Sequence, residues 1–316
     1  MGMILFVRNF KMKALVLGGT RFLGYSLVNR LVKERCDVTI LNRGTRKGLF
    51  GKSVKEIYAD RTDKKELSKK LSGKDFDAVF DISAYTPQQT NSIVELLKDT
   101  KIKRFVHCST IAVYNKLRDY CIDNPKKIRE TSERGSNSGS KNPFSTYGTD
   151  KSKCEDALFN ANADYGFPVV ILRPTYIYGP LDYTGRMEWI FDRVCSGKPI
   201  YLPKKERVMQ QAYVEDVVDA FILGTKKKSS VGEAYNICNP ECMTFEHLIE
   251  KIGEVAARTP RIKYNPLYIP LPKQIKFMYF PFPAASFCCD VSKSMKLGVK
   301  YTSLEDGLKK TFRNCS

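Results

Sequence analysis

The sequence predicts an α/β protein, a doubly wound parallel sheet followed by a smaller C-terminal region, and three observations carry that prediction. Short apolar strand-like runs alternate with helix-period segments from residue 12 to about residue 172. The first run ends in a glycine-rich turn that opens a helix, Gly18-Gly19-Thr20-Arg21-Phe22-Leu23-Gly24. Beyond residue 175 the alternation fades and proline density rises, with Pro266, Pro270, Pro272, Pro281 and Pro283. Strands that alternate with helices at this rhythm pair in parallel and carry helices on both faces.

Each element has a local reason. Ala14-Leu-Val-Leu17 is a short apolar strand stopped by Gly18. Phe22, Leu23, Leu27, Val28, Leu31 and Val32 repeat at helical spacing and predict a helix to about Glu34. Asp37–Leu41 and Val54–Ala59 read as the second and third strands, and a lysine-rich helix is expected near 63–72. Asp77–Ile82 is the fourth strand, Pro87 starts a helix to about Asp99, and Lys103–Cys108 is the fifth strand. A long polar stretch, Asn115 to Ser145, is expected as a lid or active-site rim. A helix is expected from near Tyr147, and Pro168–Leu172 is the sixth strand. No internal repeat is present. Residues 1–11 read as an extension, 12–175 as the dinucleotide-binding domain with a return segment at about 208–240, and 176–316 as a smaller substrate-binding region.

Composition narrows the functional classes. With 316 residues and 42% hydrophobic content the chain can bury a large core. No apolar run approaches the roughly 20 residues of a membrane span, and no targeting signal is legible, so a cytoplasmic protein is expected. Ten cysteines form no CxxC pair, and Cys288-Cys289 are adjacent, so reduced thiols are expected and zinc at Cys238 and Cys242 is not. The two histidines, His107 and His247, argue against histidine triads and most catalytic metal sites. The formal net charge of +19 raises nucleic acid as a rival partner, although the lysine clusters are spread along the whole chain.

The glycine turn points to a Rossmann-type cofactor site. Gly18 suits the tight turn and Gly24 a close helix–strand contact, while backbone N–H groups at the helix start face a pyrophosphate. Thr20 adds a hydroxyl, and Phe22 and Leu23 complete the turn. Arg21 stands where a middle glycine is usual and brings a guanidinium suited to phosphate. The second strand ends in Asn42-Arg43 rather than an acidic residue. No carboxylate repels a ribose 2′-phosphate there, so the cofactor is NAD(P) with a tilt to NADP. Asp60 is placed either to accept from an adenine amino group or to cap a helix.

Tyr147 and Lys151 lie four residues apart, on one helical face. The ammonium favours phenolate and so lowers the tyrosine pKa toward working pH. Ser109 and Thr110 end the fifth strand, at the sheet's ligand-binding edge, where a hydroxyl can hold a substrate oxygen or cap a turn.

These residues, with Arg173-Pro-Thr-Tyr-Ile-Tyr-Gly-Pro180 and Tyr213-Val-Glu-Asp216, resemble the extended short-chain dehydrogenase/reductase family of nucleotide-sugar epimerases, dehydratases and reductases. The resemblance covers about residues 12–240. It implies Thr110 as the hydroxyl of a catalytic trio, Tyr147 as acid/base, and Lys151 as both the pKa-lowering cation and a nicotinamide-ribose ligand. It also implies that Tyr213–Asp216 belongs to a strand–helix return to the sheet. Sugar 4,6-dehydratases of the family carry Asp-Glu directly after the threonine; here Ile111 and Ala112 stand there, against dehydration. The GGTRFLG turn, Asn42-Arg43-Gly44 and Gly179–Asp182 with Arg186 are most similar to a divergent branch that includes chloroplast stem-loop RNA-binding proteins.

Arg186 and Arg207 are candidates for substrate phosphates, since a guanidinium matches them bidentately. Arg173-Pro174 is expected to be structural, and Gln210 has no assigned role. The expected activity is hydride transfer on a nucleotide-linked sugar, as epimerase or reductase, in a chain compatible with a homodimer. An RNA-binding protein on a dehydrogenase scaffold is the alternative.

Overall fold

A computed structural model describes residues 12–114, 127–135, 143–204, 206–265, 281–282 and 286–313. The expected lid lies outside these residues over 115–126 and 136–142. The chain forms two compact units. The first takes residues up to Cys108, Lys153–Ile171 and Gly224–Glu233; the second takes Ser109–Ser152, Leu172–Leu223 and Ala234 onward. The expected return segment is therefore divided between them.

The first unit begins with β1 (Lys13–Leu17), α1 (Phe22–Lys33), β2 (Asp37–Asn42), β3 (Val54–Tyr58), α2 (Lys64–Leu71), β4 (Ala78–Asp81), α3 (Pro87–Leu97) and β5 (Arg104–Cys108). Ala14, Leu15 and Val16 have no exposed surface, as a strand covered on both faces requires. Leu27, Val28 and Leu31 bury one stripe of α1 completely. Asp63 caps α2 by accepting from Glu66 N, which leaves its lysines to solvent. Thr86 caps α3, with Pro87 at its first position.

The remaining elements are α4 (Pro143–Tyr165), β6 (Val169–Pro174), β7 (Tyr176–Tyr178), α5 (Arg186–Cys195), β8 (Ile200–Pro203), β9 (Val208–Met209), β10 (Gln211–Tyr213), α6 (Val214–Lys226), β11 (Glu233–Ile237), β12 (Met243–Thr244), α7 (Phe245–Ala256), β13 (Ile262–Asn265), α8 (Ser292–Leu297) and α9 (Leu304–Phe312). The main sheet has seven strands in the order β11-β6-β5-β4-β1-β2-β3. Leu15 pairs with Thr39 on one side and Val79 on the other, both in parallel. The strand order reverses between β1 and β4, and in such sheets ligands bind beyond the carboxyl ends at that reversal.

Three expectations change. α4 begins at Pro143 rather than near Tyr147, because proline without its N–H is well suited to a first helical position. The strand before α6 does not join the main sheet: β10 pairs in parallel with β7, and β11 supplies the seventh strand. The cysteines are not all reduced, since Cys242 and Cys288 form a disulfide with Cα atoms 5.8 Å apart. They lie 46 positions apart, so their encounter belongs to tertiary packing. Among the described residues no helix is long and apolar enough to cross a membrane.

Within the second unit, long-range polar contacts join elements that only short two-stranded ladders pair. Asn236, fully buried, accepts from the Tyr114 hydroxyl at 2.6 Å and donates to the carbonyls of Ile128 and Asp290. Arg173 donates to Tyr114 Oη at 2.7 Å and to Glu130 O at 3.0 Å. Thr302 gives both its backbone N–H and its hydroxyl to Asp216. Arg173 is thus a buried structural cation, matching its expected role.

Candidate active site

The turn after β1 is built by backbone constraints. Gly18 has φ +96°, a conformation that side chains disfavour, and a Cβ there would press on Ser83. A Cβ on Gly24 would collide with the Gly18 carbonyl, so only glycine lets α1 lie this close to β1. Phe22 and Leu23 are buried, so what they offer a ligand is their backbone N–H at the helix start. Phe22 itself has φ +37°, a strained value for a bulky residue. Arg21 sits exposed at the N-cap with extended backbone, and its side chain makes no capping bond to α1. Thr20 is half-buried beside it.

At the end of β2, Asn42 Oδ1 accepts from Gly44 N at 2.6 Å, while its buried Nδ2 has no partner among the described residues. Arg43 is exposed. Asp60 closes a turn by accepting from the backbone N–H and hydroxyl of Thr62. These two bonds, with Arg43 and Arg61 nearby, hold its carboxyl below the usual range. The helix cap falls to Asp63, so the capping alternative for Asp60 is not realised.

Next to Asp60 is a charge cluster that sequence reasoning missed. Asp81, at the carboxyl end of β4, is completely buried. Arg61 grips it with two bonds, 2.7 and 3.1 Å, and also donates to Ser83 Oγ at 2.8 Å. His107 Nδ1 lies 3.7 Å from the same carboxyl. Burial pushes the Asp81 pKa up, but the Arg61 guanidinium, with His107 alongside, overrides it and holds the group far below the usual carboxylate range. An aspartate inside the apolar run Ala78-Val79-Phe80 was the available signal, because a charge is buried there only with a partner.

In the second unit, Thr110 Oγ1 accepts from Ala112 N at 3.2 Å and so caps the short 3-10 turn Ile111–Val113. α4 presses against this turn: a Cβ on Gly148 would strike the Ala112 carbonyl. A glycine inside a helix costs about 1 kcal/mol relative to alanine, so Gly148 was a legible sign of close approach. On either side of it, Tyr147 is 37% exposed and Lys151 only 2% exposed. The phenol therefore reaches solvent from a helix whose lysine, one turn on, is buried.

Arg186 opens α5, its guanidinium 5.3 Å from the centre of the Tyr176 ring. Arg207 precedes β9; its carbonyl accepts from Phe245 N, and its buried Nε has no partner among the described residues. Gln210 has a structural role, bonding the carbonyls of Asn239 and Cys289 and the Cys289 N–H. Among the described residues no cluster of histidine, cysteine and acidic side chains is able to hold a metal.

Residues 14–238 match the model of the NAD dependent epimerase/dehydratase family. The chain is 30% identical over 303 residues to the chloroplast stem-loop binding protein of 41 kDa b of Arabidopsis thaliana, an alignment covering 89% of this chain and 73% of that protein. It is also similar in fold to a UDP-glucose 4-epimerase of Thermotoga maritima solved with UDP-glucose, with TM-score 0.77 and 21% identity over 96% of this chain and 98% of that one. A UDP-glucuronic acid 4-epimerase of Bacillus cereus, solved in complex with NAD, superimposes with TM-score 0.76 at 20% identity, covering 96% and 98% of the two chains. Taken with the strand order and the glycine turn after β1, these matches place the chain in the NAD-dependent epimerase/dehydratase family, within the extended short-chain dehydrogenase/reductases.

Proposed function

We propose that the chain is an NAD(P)-dependent epimerase or reductase of a nucleotide-linked sugar, with Tyr147 as the group that moves the hydroxyl proton. The observation that carries this reading is exposed Tyr147 one helical turn before buried Lys151, on a helix held at Gly148 against the turn that Thr110 caps.

The residues of the turn fit a dinucleotide. Gly24 lets the N-terminus of α1 lie close against the end of β1, and the unpartnered Nδ2 of Asn42 offers a donor at the end of β2. Gly18, Thr20, Arg21, Phe22, Leu23 and Gly24 hold the pyrophosphate through backbone N–H groups, a hydroxyl and a guanidinium. Asn42 and Arg43 take the adenosine ribose, Asp60 accepts from the adenine amino group, and Lys151 holds the nicotinamide ribose. Exposed Arg43, with no carboxylate at its strand end, favours NADP over NAD. When bound, the nicotinamide supplies a reversible two-electron carrier at its ring C4.

Tyr147 Oη takes the proton of a sugar hydroxyl as its carbon is oxidised, and returns it when the keto group is reduced. Lys151 stabilises the phenolate form that stands before the first step and after the second. Thr110 Oγ1 orients the same sugar oxygen, and Arg186 and Arg207 pair with the nucleotide's phosphates. Ile111 and Ala112 supply no carboxyl group for elimination, so the reading excludes 4,6-dehydration. The test is Tyr147→Phe assayed on UDP-sugars: unchanged turnover removes the mechanism. The mass of cofactor surviving purification decides between NAD and NADP.

A second reading, nucleic-acid binding, draws support from the stem-loop binding relative and from the +19 charge, with Lys64, Lys65, Lys69 and Lys70 all exposed on α2. A gel-shift titration across salt tests it, because genuine phosphate contacts weaken steeply as salt rises.

A further inference from the structure

The strand that follows Arg207 is held from two directions. β12 pairs antiparallel with β9, Met243 opposite Met209 and Thr244 opposite Val208. The segment 286–290 bonds the same strand through Phe287 N to Val208 O at 3.1 Å and Val208 N to Ser286 Oγ at 3.2 Å. That segment is anchored in turn by Ile128, whose N–H donates to Cys288 O and whose carbonyl accepts from Asp290 N, both at 2.8 Å. Cys242 stands one residue before β12 and Cys288 inside the second segment, so their disulfide joins the two pieces that grip Arg207–Gln210. Gln210 makes the other link, from Asn239 O to the Cys289 backbone.

The two sulfurs differ in access. Cys288 is fully buried, whereas Cys242 is only half-buried, so an attacking thiolate reaches the bond from the Cys242 side. The neighbouring thiols do not compete. Cys238 and Cys289 are both fully buried and hydrogen-bonded to each other, which makes Cys238 a poor thiolate. Among the described free cysteines only Cys195 is exposed, and it lies at the end of α5.

We propose that Cys242–Cys288 is a reversible thiol–disulfide site that locks the Arg207–Gln210 strand when oxidised and loosens it when reduced. A dithiol supplies the two electrons. Its thiolate forms a mixed disulfide at Cys242 Sγ, the Cys242–Cys288 bond breaks, and Cys288 leaves as a thiolate that takes up a proton. The second thiol of the reductant then displaces Cys242 as a thiolate, which takes up a second proton, and the dithiol departs as a disulfide. In the reverse direction a small-molecule disulfide accepts the two electrons. Disulfides with an accessible sulfur are the exchangeable ones, unlike fully enclosed structural bridges. The consequence for ligand binding rests on the reading of Arg207 as a phosphate-binding residue; the mobility change does not.

The experiment compares the full chain equilibrated with oxidised glutathione and with dithiothreitol. Thiol labelling with mass spectrometry reads the bond, hydrogen–deuterium exchange reads the peptide spanning 206–213, and calorimetry with UDP reads the site. Reduction is expected to free Cys242 and Cys288 together and to speed exchange in that peptide about tenfold. The Kd for UDP is expected to rise about tenfold as the competent arrangement becomes less populated. Cys242→Ser should behave as the reduced protein in both buffers, and Cys195→Ser as the wild type. Labelling of both cysteines in the oxidising buffer, or identical exchange in the two states, overturns the proposal. If UDP binds in neither state while exchange still responds, the switch stands and the substrate reading of Arg207 falls.

Discussion

In the first unit β1, β2 and β3 pair residue by residue along the chain, each strand next to one close in sequence. In the second unit the cohesion comes from afar: Asn236 draws in Tyr114, 122 positions away, and the carbonyl of Ile128, 108 positions away. Their shifted carboxyls also differ. In the first unit Asp60, Asp77 and Asp81 are lowered. In the second, Glu130, Asp182 and Asp216 are raised, each chiefly by burial, with Asp290 the lowered exception. One half is therefore held by repeated local pairing plus a charged knot, the other by hydrogen bonds among residues scattered along the chain, Arg173 and Asp216 included. The glycine turn after β1 lies in the first and the tyrosine–lysine helix turn in the second, so damage to each half should register in a different measurement.

The largest effect should fall on chemistry in the second unit. Tyr147→Phe is expected to cut sugar-nucleotide turnover ~10²–10⁴-fold while cofactor still copurifies, as read by steady-state assay and native mass spectrometry. Loss of both together would mean that the residue organises the fold instead.

Next comes the charged knot of the first unit. Asp81→Asn leaves the Arg61 charge, whose side chain is 10% exposed, without its counter-ion, and should cost ~3–5 kcal/mol in urea unfolding. The pH dependence has a definite sign. Asp81 is lowered in the folded state, so its contribution is complete above the unfolded carboxylate pKa of ~4 and is lost as pH falls through the folded value. Glu130, Asp182 and Asp216 are raised, so they favour folding more as pH falls. Acidification from neutrality should therefore speed hydrogen exchange in β1 and β4 before it does so in β7 and β10. The opposite order would break the contrast between the halves.

A smaller loss is expected in the network around Asn236. Asn236→Ala strands the Tyr114 hydroxyl and two carbonyls and should cost ~2–4 kcal/mol, at about 1–3 kcal/mol for each unsatisfied group after partial relaxation. Gly24→Ala should cost about 1–3 kcal/mol by overpacking and should release the cofactor, which absorbance of the purified protein detects. The mildest change is Arg43→Ala, expected to lower the preference for NADP over NAD about tenfold, or ~1.4 kcal/mol, in a competition titration. No change in preference would remove Arg43 from cofactor selection.

Much of the first unit was legible because its causes are local. Helical spacing of Leu27, Val28 and Leu31 made α1, a proline made the start of α3, and the glycines at 18 and 24 made the turn, each through neighbours within a few residues. The domain resemblance was legible for the same reason, since short motifs carry it. The second unit resisted reading where its partners are distant. The resemblance put Tyr213 in a return to the main sheet, because a motif marks a strand and not which strand it meets. Gln210 carried no signal, because its bonds go to backbone groups at positions 239 and 289.

The sequence by itself determined the alternation, the parallel sheet, the glycine turn and the tyrosine–lysine spacing, because periodicity, backbone freedom and i,i+4 geometry act within one element. Tertiary structure alone decided that β10 pairs with β7, that Arg61 reaches Asp81, and that Cys242 meets Cys288 across 46 residues. Those outcomes depend on which buried groups find partners when separate elements pack, and desolvation, which sets their energy, exists only in the folded chain.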